Sequence, residues 1–223
     1  MTFSLLARCT DTGRFGMVIS SSSPAVAARC SHARAGVGVA ASQNITDPGL
    51  GPLLLDAMAG ATAAQAMAQV VAGAAHLEYR QLMCVDRFGG VASHCGAGML
   101  GVWAVAQGDG VVAGGNLLAN AVVPQAMVDA FAASGDLGDR LIRALRAGRD
   151  AGGEAGPVHS AGLIMVDREN WPVAELRCDW LDQGCPIEAV ARAWQVYAPQ
   201  MAAYVQRARD PGAAPSYGVA GDT

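Results

Sequence analysis

The sequence contains no lysine; all 15 of its basic residues are arginine. This excludes a Schiff-base lysine, a phosphate-loop lysine and a lysine general base. Any catalytic amine must therefore be the one that begins the chain. Charge of either sign is scarce, at 15% of 223 residues, and the net charge is −4. No basic block occurs, so nucleic-acid binding has no support. No stretch of about 18 residues is apolar and uncharged enough to cross a bilayer. Residues 1–8 lack the charged start and apolar run of a signal peptide. Six cysteines stand at positions 9, 30, 84, 95, 178 and 185 with no C-x-x-C pair among them. Without an export signal they read as reduced core thiols. The spacing of Cys84, His94 and Cys95 matches no zinc pattern, so no metal is expected. There is no P-loop, H-E-x-x-H, EF-hand loop, nucleophile elbow or G-x-G-x-x-G, and no cofactor is expected.

What is present is apolar: 52% of the residues are hydrophobic. A chain of this length suits one domain, hiding about 70% of its unfolded surface. We place that domain at residues 1–207 and expect a cytoplasmic protein. Residues 208–223, rich in Pro, Gly, Ala and Ser, read as a disordered tail. So little charge leaves apolar surface for a subunit interface, and a homo-oligomer is expected.

Turn signals divide the chain into hairpins and helices. Residues 3–8 and 15–20 flank Asp11-Thr12-Gly13 and read as a first hairpin. A short helical piece through residue 29 and a strand at 36–43 follow. Residues 53–74 read as helical, with Thr62 and Gln65 spaced as a capping box. Two more hairpins lie at 79–95 and 103–114, two helices at 124–133 and 137–147, a fourth hairpin at 161–178, and a last helix from Pro186 to 207. Segregated hairpins and helix pairs predict an α+β fold, a four-layer α/β/β/α sandwich of two antiparallel sheets, with a three-layer arrangement as the alternative.

The hydroxyl beside the chain start carries the main chemical expectation. Loss of Met1 would leave a free α-amine on Thr2. That amine, with a pKa of ~7.7–8.0, accepts a proton near neutrality. One residue then holds both nucleophile and base, a chemistry suited to an amide carbonyl. A three-residue hairpin loop puts Ser22 opposite Thr2, and a two-residue loop puts Ser21 there; either hydroxyl would relay a proton. Asn116, after two glycines at a strand end, is a candidate oxyanion donor. Gln43 and Asn44 end another strand in the same region. Arg80 suits a carboxylate, and His94 a base or substrate ligand. Cys95 is an alternative nucleophile.

Several of these residues form motifs in a recognisable order. They include Thr2-Phe3-Ser4-Leu5-Leu6-Ala7-Arg8, Thr12-Gly13, Phe15-Gly16, and Ala33 to Gly38 with Ser42-Gln43. Tyr79-Arg80-Gln81, Val85-Asp86, Ser93-His94-Cys95-Gly96, Gly115-Asn116-Leu117-Leu118 and His159-Ser160-Ala161 continue the series. Over roughly residues 1–178 the chain resembles domain-of-unknown-function family 1028. The resemblance implies the N-terminal-nucleophile (Ntn) hydrolase fold, a bacterial cytoplasmic protein and a catalytic role at Thr2. Gene neighbourhoods in the family imply small-molecule nitrogen catabolism. This chain departs from the pattern at Cys95, where many members have Thr, and at Gly114, where many have Gln. It also has serine within 21–23, where a Lys is frequent. The resulting expectation is an amidohydrolase of a small C–N-containing substrate. The alternative is a ligand-binding or assembly protein that keeps the fold without the chemistry.

Overall fold

The computed structural model describes residues 1–221. Its ten strands are β1 (Thr2–Arg8), β2 (Phe15–Ser21), β3 (Ser31–Arg34), β4 (Gly38–Asn44), β5 (Arg80–Asp86), β6 (Val91–Cys95), β7 (Ala104–Gly108), β8 (Val111–Asn116), β9 (Ser160–Val166) and β10 (Ala174–Cys178). Its helices are α1 (Val26–Cys30), α2 (Leu50–Met58), α3 (Ala63–Gly73), α4 (Val123–Phe131), α5 (Leu137–Asp150), α6 (Pro186–Tyr197) and α7 (Met201–Arg209).

The strands form two antiparallel sheets, ordered β10-β9-β2-β1-β8-β7 and β3-β4-β5-β6. Helices α4, α5 and α6 cover the outer face of the six-stranded sheet, and α2 and α3 cover the four-stranded one. The two inner faces pack on each other, giving four layers, α/β/β/α. The three-layer alternative is excluded by that contact between sheets. Strands covered on both sides must be apolar on both sides, which is why Leu5-Leu6-Ala7 and Met17-Val18-Ile19 are unbroken apolar runs rather than alternating ones.

Within such strands the side-chain period of two decides which layer a residue serves. Phe3, Leu5 and Ala7 pack into the core beneath α4–α6, whereas Leu6 packs between the sheets. In β2, Met17 and Ile19 face between the sheets; in β4 and β5, Val39, Ala41, Met83 and Val85 do. Ala40, Leu82 and Cys84 point the other way, to α2 and α3.

The capping box forms as expected: Thr62 Oγ1 accepts from Gln65 N–H, and Gln65 Oε1 accepts from Thr62 N–H. It splits the apolar stretch at 53–74 into α2 and α3. Strand β3 was missing from the sequence expectations, because His32 and Arg34 break its apolar pattern at the sheet edge. The boundary expected at 207/208 falls inside α7. Beyond it, Arg207 donates to the carbonyls of Pro215 and Ser216. Of the tail expected to be disordered, Asp222 and Thr223 lie outside the described residues.

Candidate active site

Thr2 begins β1 and pairs with Asn116 of β8. On its other side, β1 pairs with β2 through Phe3↔Ser20 and Leu5↔Val18. The loop between them is four residues, 10–13, closed by Cys9 N–H to the Arg14 carbonyl at 2.8 Å. An even-length loop continues the register to Ser21 opposite Thr2, so the three-residue loop that would put Ser22 there is corrected. Alternation then places Thr2, Ser21 and Asn116 on the face between the sheets, with Leu6, Ile19 and Val112. Ser22 has the opposite parity, and its backbone N–H donates to both carboxylate oxygens of Glu154, at 3.1 Å each.

The Thr2 side chain is only 4% exposed, under a Met1 that is 39% exposed. The hydroxyls of Thr2 and Ser21 both donate to the Met1 carbonyl. Behind Ser21, Ser23 Oγ lies 2.8 Å away and accepts from Arg29 at 2.9 Å. Ser21 has one hydroxyl proton and gives it to the Met1 carbonyl, so in the Ser21–Ser23 pair it is Ser23 that donates. The chain of hydroxyls thus has a fixed direction, ending on an amide carbonyl bonded to the Thr2 nitrogen.

Glu154 is 5% exposed and lies in the glycine-rich loop after α5. Burial pushes its carboxyl up to about 7; hydrogen bonding from Ser22 and the positive chain terminus pull the other way.

Beneath Thr2 a buried amide network joins the sheets. Ser4 Oγ donates to Gln43 Oε1 at 2.9 Å, and Gln43 Nε2 donates to Gln81 Oε1 at 2.8 Å and to the Gly114 carbonyl at 3.3 Å. Gln81 Oε1 also accepts from Asn116 Nδ2 at 3.2 Å. Gln81 Nε2 donates to the Gly115 carbonyl at 3.2 Å and to Cys95 Sγ at 3.7 Å. Gln43 is fully engaged and acts as a strut between sheets. Asn116 gives one of its two Nδ2 protons to Gln81, which leaves the other for the oxyanion role expected of it, and its buried Oδ1 has no partner among the described residues. Burial pushes the Cys95 thiol up, against a thiolate nucleophile at neutral pH.

Three further candidates stand on the wrong face. Asn44, Arg80 and His94 have the parity of Leu82 and point toward the helices. Asn44, at φ 75°, donates to the Tyr79 carbonyl at 2.7 Å and accepts from Leu100 N–H at 3.2 Å. Arg80 donates to the Ile45 carbonyl. His94 Nε2 lies 3.1 Å from the Leu77 carbonyl. All three hold loops together. A groove of about 550 Å3 lies at the far end of the β1–β2 hairpin, lined by Asp11, Arg14, Asp167 and Arg209 among others, away from Thr2. Among the described residues, no cluster of three His, Cys, Asp or Glu could hold a metal, and no helix is long and apolar enough to cross a membrane.

The model of a family of unknown function (DUF1028) matches residues 2–190. The chain belongs to this family. A crystal structure of another DUF1028 member, from Silicibacter pomeroyi, is similar at 27% identity and a TM-score of 0.81, over 88% of this chain and 89% of that one. Anbu, an ancestral beta-subunit from Yersinia bercovieri, aligns at 9% identity and a TM-score of 0.42, over 91% and 97% of the two chains. No curated protein matches. The family match includes Thr2, Ser21, Gln81, Asn116 and Glu154. Ser21 was legible as the even-loop register. Gln81 shares the parity of Gln43, a signal available in the sequence. Glu154 had only a weak one: it is the sole charged residue in residues 151–158.

Proposed function

We propose that this chain is an N-terminal-nucleophile amidohydrolase that cleaves a C–N bond of a small substrate. The observation that supports it best is the Met1 carbonyl held by the Thr2 and Ser21 hydroxyls. An amide carbonyl already rests against the expected nucleophile, with a second hydroxyl, backed by Ser23 and Arg29, donating to its oxygen. Removal of Met1 would uncover Thr2, free its α-amine and clear space for a substrate acyl group.

Thr2 Oγ attacks the substrate carbonyl carbon while its proton passes to the α-amine. The Ser21 hydroxyl donates to the developing oxyanion, and the second Nδ2 proton of Asn116 is a further donor to it. The C–N bond breaks, and the ammonium returns its proton to the leaving nitrogen. Water, deprotonated by the same amine, cleaves the ester and restores the hydroxyl. The Gln43–Gln81–Asn116 network holds β8 and the second sheet rigidly beneath the site. A homo-oligomer and a cytoplasmic location belong to the same proposal and rest on composition.

Screening small amides against wild type and Thr2→Ala tests this. Turnover by wild type should fall by about three orders of magnitude or more in the variant, with the melting temperature unchanged. An active Thr2→Ala protein would refute the mechanism. A protein that binds small amides without turnover would favour the binding-module alternative.

A further inference from the structure

The path of β1 ahead of Thr2 is blocked by one residue. β8 ends at Asn116, Leu117 turns the chain with φ 51°, and Leu118 then forms an isolated antiparallel bridge with Glu154. Two main-chain bonds fix that bridge: Ala119 N–H to the Gly153 carbonyl and Ala155 N–H to the Leu117 carbonyl, both 3.0 Å. On the other side, β2 ends at Ser21, and the N–H of Ser22 just beyond it reaches the Glu154 carboxylate. Glu154 therefore bridges the residues that follow the two strands flanking β1, Leu118 after β8 and Ser22 after β2, beyond the start of β1.

A carboxylate this buried needs a counter-charge or a proton. Among the described residues, Glu154 forms no salt bridge with any arginine, and the chain has no lysine. Ser22 supplies one N–H to a group with about four acceptor sites. The positive terminus at Met1 forms no salt bridge with Glu154 either, but it acts on the carboxylate at longer range, after the hydrogen bonding from Ser22. The other charged groups round this corner are engaged elsewhere. Arg29 donates to Ser23 Oγ and the Pro24 carbonyl. Arg149 and Asp150, ending α5, pair with each other, and Arg149 also pairs with Glu188. His159, whose N–H meets the Ser21 carbonyl, has its Nδ1 2.8 Å from the Leu181 carbonyl.

We infer that Glu154 is the partner of the mature α-amine: with Met1 gone, carboxylate and amine share one proton across the vacated slot, and Glu154 positions the amine as the site's base. The inference rests on the proposed loss of Met1, but not on turnover. In the reaction above, Glu154 would hold the ammonium while the leaving nitrogen collects its proton. The raised carboxyl fits, since near neutrality Glu154 and the amine compete for the same proton.

The test is an amine titration in the native protein labelled with 15N-threonine. After processing, Thr2 is the one threonine whose nitrogen is an amine, so its shift reads that group alone. In Glu154→Gln, which keeps an acceptor for Ser22 N–H, the amine midpoint should fall by about 1 pH unit or more. A midpoint unchanged within about 0.2 unit in a folded variant overturns the pairing, as does a Thr2 nitrogen that remains an amide because Met1 is retained. If Glu154→Gln does not fold, the Glu154 carboxyl 13C in wild type decides. Titration in two steps, one coincident with the amine, supports the pair, and a single step in the ordinary carboxylate range overturns it. Amide turnover assayed on the same samples separates the two ideas. A shifted amine in an inactive protein keeps the pair and removes the nucleophile.

Discussion

Glu154 folds with its proton favoured. Its carboxyl sits near 7 in the folded chain, above an unfolded value of 4.5. For a group with a raised folded value, the stability it contributes is complete below 4.5 and is lost as the pH rises through about 7. The whole effect is of order 3 kcal/mol for a group this buried. Glu154→Gln has no such proton to lose. Thermal melts between pH 4.5 and 8 should therefore show wild type losing stability relative to the variant as the pH rises; parallel curves would mean that Glu154 titrates normally. Glu188 runs the other way. Arg146 and Arg149 hold it down at about 2, so its contribution is present above 4.5 and fades toward pH 2, outside that window. At this scale, Thr2 was legible in the sequence because lysine is absent and the chain start is the remaining amine. Residue type at a strand end points to Asn44, Arg80 and His94; the period of two turns Arg80 and His94 toward the helices, while Gln43 and Gln81 turn inward.

Among the elements, the packing of α5 on α6 makes a counter-intuitive substitution informative. Gly138 lies in the first turn of α5, after the Asp136 cap that accepts its N–H at 2.8 Å. A Cβ there would stand 2.1 Å from the Trp194 ring. Trp194 is 3% exposed and is fixed by its Nε1 donating to Asp139 at 2.8 Å. Helix propensity favours alanine by about 1 kcal/mol, but overpacking costs about 1–3 kcal/mol. Gly138→Ala should therefore lower the melting temperature. Gly73→Ala, at the end of α3 with open space around it, should leave it unchanged or raise it. A stabilised Gly138→Ala would show that the α5–α6 contact yields easily. Most element boundaries were legible to within a few residues from turn dipeptides and the Thr62 box. The hairpin register was legible only as a choice between parities, because Asp11-Thr12-Gly13 does not say whether Thr10 lies inside the loop.

For the whole molecule, the four layers were legible from the order of hairpins and helix pairs, and both sheets formed as expected. What the order could not supply is the meeting of residues distant in sequence. Glu154 reaches Ser22 across 132 positions and Gln81 reaches Asn116 across 35. These contacts arise when the sheets stack and a loop closes over the end of β1. The fold thereby sets Ser21, backed by Ser23 and Arg29, beside Thr2, and closes Glu154 onto Ser22 just past it. The most direct measurement is exposure of the processed protein to a small β-lactone, followed by intact mass and peptide mapping. One acyl adduct, located on Thr2 and absent from Thr2→Ala, is expected. Adducts on Cys95, or none on a protein whose Thr2 amine is free, would contradict Thr2 as the nucleophile.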